Sequence, residues 1–262
     1  MIKERIILEG ANNTRDLGSM RCADGRKIKR GTLIRSGNLA SLTDADVSVL
    51  GGYNIKAVID LRTDLEEREA PDVRLDGTQY YRLRPLTEAA MGVTHEKTTG
   101  LQMFTNGIDV NGEPDKYMCD MYDKFMFSQH GKAEFSRFFD ILLNTDGCVL
   151  WHCSAGKDRA GMASLLVETA LGVRREDIIE DYMLTEYFTR EISRVRLENF
   201  LKIPGAIEIK EFIIALMAVR PIYAEHVLDK MTADYGSAEK YLETALGVGA
   251  DKIEILKEKY TE

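Results

Sequence analysis

A chain of 262 residues exceeds the average domain of about 150 residues, yet a single α/β domain of about 200–250 residues with insertions accommodates it. With 44% apolar and 30% charged residues, the composition supplies a sizeable core and argues against disorder. The net charge of −8 disfavours a broad basic surface for sequence-independent nucleic-acid binding and leaves room only for a local basic pocket.

The opening stretch, MIKERIILEGANN, is charged within five residues and lacks an apolar run of signal-peptide length. No later run reaches the length of a membrane span, so the expectation is a cytoplasmic protein without stable membrane insertion, export by a route lacking a signal peptide being left open. "SLTDADVSVLGG" predicts a helix that starts at Thr43, with Asp46 completing a capping box, and stops at Gly51-Gly52. "IKAVIDL" at 55–61 reads as a strand, and "RTDLEEREAP" as a helix capped by Thr63 and Glu66 that ends at Pro71. "TQYYRLR" at 78–84 is the next strand.

Residues 86–116 hold five Gly or Pro with little periodicity and predict a long loop insertion; loops of that length in compact domains are often functional. From Asp115 to Leu143 apolar residues recur at helical spacing, and "GCVLWH" at 147–152 forms a third strand. "GMASLLVETALG" is a helix closed by Gly172, followed by helices at 175–202 and 206–219 and by "SAEKYLETALG" and "DKIEILKEKY". Strands alternating with helices predict an α/β fold, a central sheet of about four or five strands flanked by helices, with a helical C-terminal half in a single domain, 1–262. Cys22, Cys119, Cys148 and Cys153 show no Cys-x-x-Cys spacing, and His95, His130, His152 and His226 share no ligand spacing, so neither disulfides, a metal nor another cofactor is expected. Cys148 reads as a packed strand residue.

The stretch that carries chemistry is "VLWHCSAGKDRAG", residues 149–161. A buried strand delivers Cys153, and Gly161 opens the next helix, which is where α/β proteins bind anions. Ser154, Ala155 and Gly156 are small enough for successive backbone N–H groups to form a nest around a tetrahedral oxyanion. Arg159 can add a bidentate fork to two of its oxygens. The same N–H dipoles and helix terminus favour the thiolate of Cys153, making it a nucleophile at neutral pH.

This His-Cys-x5-Arg spacing, with Gly161 two places after the arginine, resembles the phosphate-binding loop of the cysteine-dependent tyrosine and dual-specificity phosphatases. "NNTRDLGSM", "KRGTLIRSGNLASLT", "VIDLRTDLEEREAPD" and "YGSAEKYLETALGV" resemble the atypical bacterial branch of that superfamily, whose members act on phosphotyrosine, phosphoserine/threonine and phosphoinositides. The resemblance implies the cysteine-dependent phosphatase fold and a phosphomonoesterase acting on a phosphorylated protein or a phosphoinositide, with phosphate held in the loop. Cys153 would attack phosphorus to form a phosphocysteine. Arg159 and the loop from Ser154 to Gly161, including Ala160, would hold the phosphoryl group. His152 would orient the loop, and Lys157 stands where lipid-active relatives contact an additional phosphate. Asp60, in "DLR", matches a family aspartate near the loop, although Asp60 and Arg62 read more simply as a structural brace.

Two departures stand out. No Trp-Pro-Asp tripeptide is present, so the general acid falls to Asp158 inside the loop, where cationic neighbours favour its ionised form and a bound phosphate dianion opposes them. Family members commonly carry Thr or Ser at the position of Ala160, a hydroxyl that would assist departure of the thiolate. Its absence admits a second reading, a phosphate-binding signalling module with weak turnover; a rhodanese-like sulfurtransferase is a third, although it does not demand Arg159. The apolar face at Ile207, Ile209, Phe212, Ile213, Leu216 and Met217 reads as core. Related phosphatases cover their loop with helices from the region after it, which makes residues 195–225 a possible helical lid.

Overall fold

The computed structural model describes residues 5–87 and 112–262, and its sheet is organised around the most apolar strand. β5 (Cys148–His152) lies between parallel neighbours β2 (Leu33–Ser36) and β3 (Ile55–Asp60), with all five of its residues buried. β4 (Gln79–Arg82) continues the sheet in parallel beyond β3, and the two-residue β1 (Arg15–Asp16) closes the other edge antiparallel to β2, giving the order β1-β2-β5-β3-β4. Side chains alternate between two cores along the pleat: Val149 and Trp151 join the larger cluster, Cys148 and Leu150 the smaller.

α1 (Asp44–Gly51) follows β2, and α2 (Asp64–Glu69) follows β3; α3 (Pro114–Met126) and α4 (Gln129–Asn144) lead into β5, and α5 (Arg159–Ala170) leaves it. The C-terminal half is helical, with α6 (Arg175–Phe200), a 3-10 turn (Ala206–Ile209), α7 (Lys210–Met217), α8 (Pro221–Tyr235), α9 (Ala238–Leu246) and α10 (Ala250–Tyr260). The larger core runs through Leu17, Trp151, Val227 and Tyr260, so the first and last parts of the chain share one interior. Among the described residues, no helix is long and apolar enough to cross a membrane.

The α/β architecture and all three expected strands are present, each ending within two residues of its predicted limits. Both capping boxes form: Thr43 Oγ1 accepts the Asp46 N–H at 3.2 Å while Asp46 accepts from Thr43 N at 3.0 Å, and Thr63 and Glu66 repeat the exchange. β1, β2 and α8 were not anticipated. β1 and β2 bury Arg15, Asp16, Arg35 and Ser36, which breaks the apolar pattern that identifies a strand. α8 is marked in the sequence by Pro221 in its first turn and by Gly236, at φ +93°, which closes it.

Residues 88–111 of the expected insertion lie outside the described residues, and its last three positions belong to the first turn of α3, which Pro114 opens. The expected helix at 206–219 starts as the 3-10 turn and ends at Met217, and that expected at 175–202 ends at Phe200. Trp151 ties β5 to the helix after it: its ring packs edge-on against Phe138 at 5.6 Å, and Nε1 donates to Ala160 O at 3.2 Å and Ser164 Oγ at 3.1 Å. The loop between these two elements is thus anchored at both ends.

Candidate active site

β5 ends at His152, and Cys153 follows it at the base of the loop, 2% exposed. The carbonyls of the loop are held from outside. Asn38 Nδ2 donates to Ser154 O at 3.2 Å, Asn13 Nδ2 to Ala155 O and Gly156 O at 3.2 and 2.9 Å, and Arg35 Nη2 to Gly156 O at 2.7 Å. In a planar trans peptide the N–H points opposite to the C=O, so pinning these carbonyls outward turns the following N–H groups to the concave side. Gly156 makes the turn at φ +66°, and a Cβ there would lie 2.6 Å from the Ser36 carbonyl carbon and oxygen. Only glycine fits that approach.

The pins are themselves fixed. Arg15 and Arg35, both fully buried, share Asp181: Arg35 Nη1 donates to Oδ2 at 2.9 Å, and Arg15 Nε donates to Oδ1 at 3.2 Å. Arg15 Nη1 also donates to the Asn13 side chain, which orients that amide toward the loop. Burial, reinforced by the neighbouring Arg15 charge and only partly offset by Asp181, pulls the Arg35 pKa down to about 10. Asp181→Asn would leave two buried guanidiniums without their shared anion, and it is expected to cost about 3–5 kcal/mol of stability. Denaturant midpoints at constant m-value measure this; a loss below about 1 kcal/mol, the scale of an exposed pair, would contradict the assignment.

Arg159, the first residue of α5, meets a carboxylate that sequence reasoning saw only as a helix cap. Glu66 Oε2 accepts from Arg159 Nη1 at 2.5 Å and Oε1 from Nη2 at 2.8 Å, while Oε1 also takes Ser154 Oγ at 2.5 Å. Burial works to raise the Glu66 pKa, but the Arg159 fork, Ser154 and the Thr63 N–H outweigh it and hold the carboxyl at about 2. One side chain therefore caps α2, aims the arginine and restrains the loop serine.

Beneath the loop, His152 is fully buried, with Nε2 3.0 Å from Asp72 Oδ2 and 3.9 Å from Asp60 Oδ1. Neither ring nitrogen makes a well-formed hydrogen bond among the described residues. Arg62 holds both carboxylates, donating to Asp60 Oδ1 and Oδ2 at 2.9 and 2.8 Å and to Asp72 Oδ1 at 2.8 Å. The Asp60 pKa, raised by burial, is brought below its ordinary range chiefly by Arg62 and then by His152. Asp60, Asp72 and His152 offer ligand atoms within 4.8 Å of one another, but a cation there would have to displace the guanidinium already bonded to both acids. This group has the geometry of a brace.

Lys157 and Asp158 face the other way. Lys157 Nζ donates to Leu216 O and, at 3.1 Å, to Ala218 O, the open carbonyls at the end of α7. Asp158 Oδ1 accepts the Tyr122 hydroxyl at 2.5 Å and lies 3.6 Å from Lys157 Nζ. Ala160 and Gly161 sit in the first turn of α5, Ala160 fully buried and Gly161 where a Cβ would meet Arg35 Nη2 at 3.0 Å and the Tyr182 ring at 3.3 Å. A cavity of about 720 Å³ borders the loop at Ser154, Ala155, Lys157 and Asp158, with Arg196 and Phe200 of α6 and Met217 of α7 across it. Asn13, Arg35, Glu66, Tyr122, Asp181 and Tyr182 were not among the expected site residues. The available hint was a run of polar residues, as in "NNTRD" and "IRSGN", where a strand pattern should be apolar.

A thiol set among inward-facing N–H groups, with a guanidinium six residues on, suits a hydrolase that works on tetrahedral oxyanion esters. Sequence comparison gives the same class: the model of the tyrosine phosphatase family matches residues 6–262, and the chain belongs to that family, as a protein tyrosine phosphatase-like hydrolase of phosphorylated substrates. It is 30% identical over 243 residues to a tyrosine-protein phosphatase of Nostoc commune, covering 88% of this chain and 74% of that protein. It is also 28% identical over 263 residues to the triple specificity protein phosphatase PtpB of Mycobacterium tuberculosis, covering 91% of this chain and 92% of that protein.

Proposed function

We propose that the chain is a single-domain, cytoplasmic phosphomonoesterase that works through a phosphocysteine. The observation that carries this reading is the set of outward-held carbonyls around Cys153, because it leaves preorganised N–H donors facing the place where charge develops on the phosphoryl oxygens. The Cys153 thiolate forms an S–P bond as the bridging P–O bond breaks, and Asp158 gives its proton to the departing oxygen. Water then attacks the phosphocysteine and returns a proton to Asp158, releasing inorganic phosphate and the thiolate. Arg159 supplies its fork to the phosphoryl oxygens, for which the substrate competes with Glu66. His152, Asp60 and Arg62 support the loop from below. Cys22, Cys119, Cys148 and Cys153 are free thiols, which suits a reducing compartment.

The substrates proposed are phosphoproteins and phosphoinositides, the breadth suggested by the triple specificity in the name of the mycobacterial relative. The 720 Å³ cavity has room for a bulky leaving group. Residues 195–225 act as the lid: Phe200, Ala206, Ile209 and Ile213 form their own apolar cluster, apart from the main core, and Leu216 and Met217 line the cavity. A second phosphate on the substrate competes with the α7 carbonyls for Lys157. The test is phosphate release from a panel of phosphopeptides and soluble inositol phosphates by wild type, Cys153→Ser and Lys157→Ala. Lys157→Ala is expected to lower kcat/KM for bisphosphorylated inositols about tenfold more than for phosphotyrosine peptides, the scale of one charge-assisted hydrogen bond. Equal losses on both would remove Lys157 from substrate choice.

A further inference from the structure

Asp158 occupies the N-cap position of α5 yet makes no capping bond there. Its Oδ1 is instead taken by the hydroxyl of Tyr122 from α3 at 2.5 Å, and the Tyr122 oxygen lies 2.6 Å from the hydroxyl of Tyr182 from α6. Both tyrosines are buried, at 0% and 1% exposure. The direction of this chain follows from its ends. Tyr122 spends its one proton on Asp158 Oδ1, so its oxygen accepts from Tyr182. Burial first, and then the charge of Asp158, push both phenols well above their ordinary pKa, so they remain donors throughout the neutral range.

Three features of the fold serve this contact. Tyr122 stacks obliquely on Tyr223, with ring centres 5.8 Å apart and planes inclined by 29°. Tyr182 packs against the first turn of α5 where Gly161 lacks a Cβ, the nearest ring atoms lying 3.3 Å from the position such a carbon would take. The glycine of the loop motif thereby admits the phenol to the space beside the loop. Because Oδ1 is engaged, a proton carried by Asp158 belongs on Oδ2.

We propose that Tyr122 and Tyr182 are positioning residues for proton transfer, a two-phenol relay that commits one oxygen of Asp158 and leaves the other to serve the leaving group. This rests on the reading of Asp158 as general acid, and the experiment separates the two. The readout is kcat/KM, which reports steps up to departure of the leaving group, on p-nitrophenyl phosphate and on a phosphoserine peptide. The nitrophenolate leaves without a proton, whereas the serine alkoxide requires one.

Asp158→Asn is expected to slow the phosphoserine peptide by about 10²-fold and the nitrophenyl ester little. Tyr122→Phe, which removes one oxygen and keeps the ring, is expected to slow the phosphoserine peptide about fivefold and the nitrophenyl ester less than twofold. Tyr182→Phe should act in the same direction with a smaller factor, and it provides a second variant should Tyr122→Phe fold poorly. In the Asp158→Asn background neither phenylalanine should cost anything further on the peptide. Equal slowing of both substrates by the tyrosine variants, or a full additional loss on top of Asp158→Asn, would show that the phenols only support packing and would overturn the proposal. If Asp158→Asn itself slows both substrates alike, the general acid lies elsewhere, and the relay falls with that reading.

Discussion

Replacing Cys153 by serine is expected to leave a folded protein that binds phosphate and does not turn it over, with residual kcat below about 1% of wild type on every substrate. The reason lies in the surroundings of the sulfur. A serine hydroxyl is protonated at neutral pH and needs a base, whereas the thiolate nucleophile proposed here does not. Of the nearby groups, His152 faces Asp72 beneath the loop and Glu66 is held by Arg159 and Ser154, while the proton transfers proposed for Asp158 are to the leaving group and from water, not from residue 153. None of the bonds that pin the loop carbonyls involves the sulfur, so the anion cradle should survive. Phosphate at about 100 times its Kd should still stabilise the variant by about 2.7 kcal/mol in thermal unfolding. Turnover well above the 1% level would remove the cysteine from the chemistry.

Arg159→Lys is expected to lower kcat/KM by about 10²–10³-fold, far more than conservation of charge would suggest. The guanidinium makes two parallel bonds to Glu66, at 2.5 and 2.8 Å, and can present the same fork to a phosphoryl group. A lysine ammonium offers one directed contact and frees Glu66 to face an incoming dianion. In the wild type, against burial that raises it, the Glu66 pKa is depressed to about 2 from 4.5, chiefly by Arg159 itself, so the fork and the carboxylate are held as an ion pair. The stability that carboxylate contributes in the wild type is fully present above its unfolded value of 4.5, declines as the pH falls below that value and is gone once the pH has fallen through about 2. A loss below about tenfold, the value of a single modest hydrogen bond, would mean that Arg159 does not grip the transferring group.

Much of the proposed site was legible in the sequence because its residues are close along the chain. Cys153, Gly156 and Arg159 lie in or next to one loop between a strand and a helix, so their spacing along the chain is their geometry. The same holds for Thr43 with Asp46 and Thr63 with Glu66, pairs three residues apart whose caps form as read. What stayed hidden acts at a distance. Glu66 reaches Arg159 across 93 positions, Tyr122 reaches Asp158 across 36, and Asp181 joins two arginines more than 140 positions away. Those partnerships arise from which helix lands on which strand, and no local pattern encodes that. The buried charges of β1 and β2 misled for a related reason: hydropathy marks Arg15 and Arg35 as surface residues, and the shared carboxylate of Asp181, with the Gly156 carbonyl and the Asn13 side chain, offsets the cost of their burial.

The most direct test of the proposed mechanism is to trap the intermediate. Wild-type enzyme mixed with p-nitrophenyl phosphate, quenched in acid within one turnover and digested under acidic conditions, should yield the peptide containing Cys153 heavier by one phosphoryl group. The same treatment of Cys153→Ser should give the unmodified peptide. Hydrolysis that proceeds while Cys153 stays unmodified at every quench time, or a phosphoryl group found on another residue in place of Cys153, would contradict a phosphocysteine mechanism.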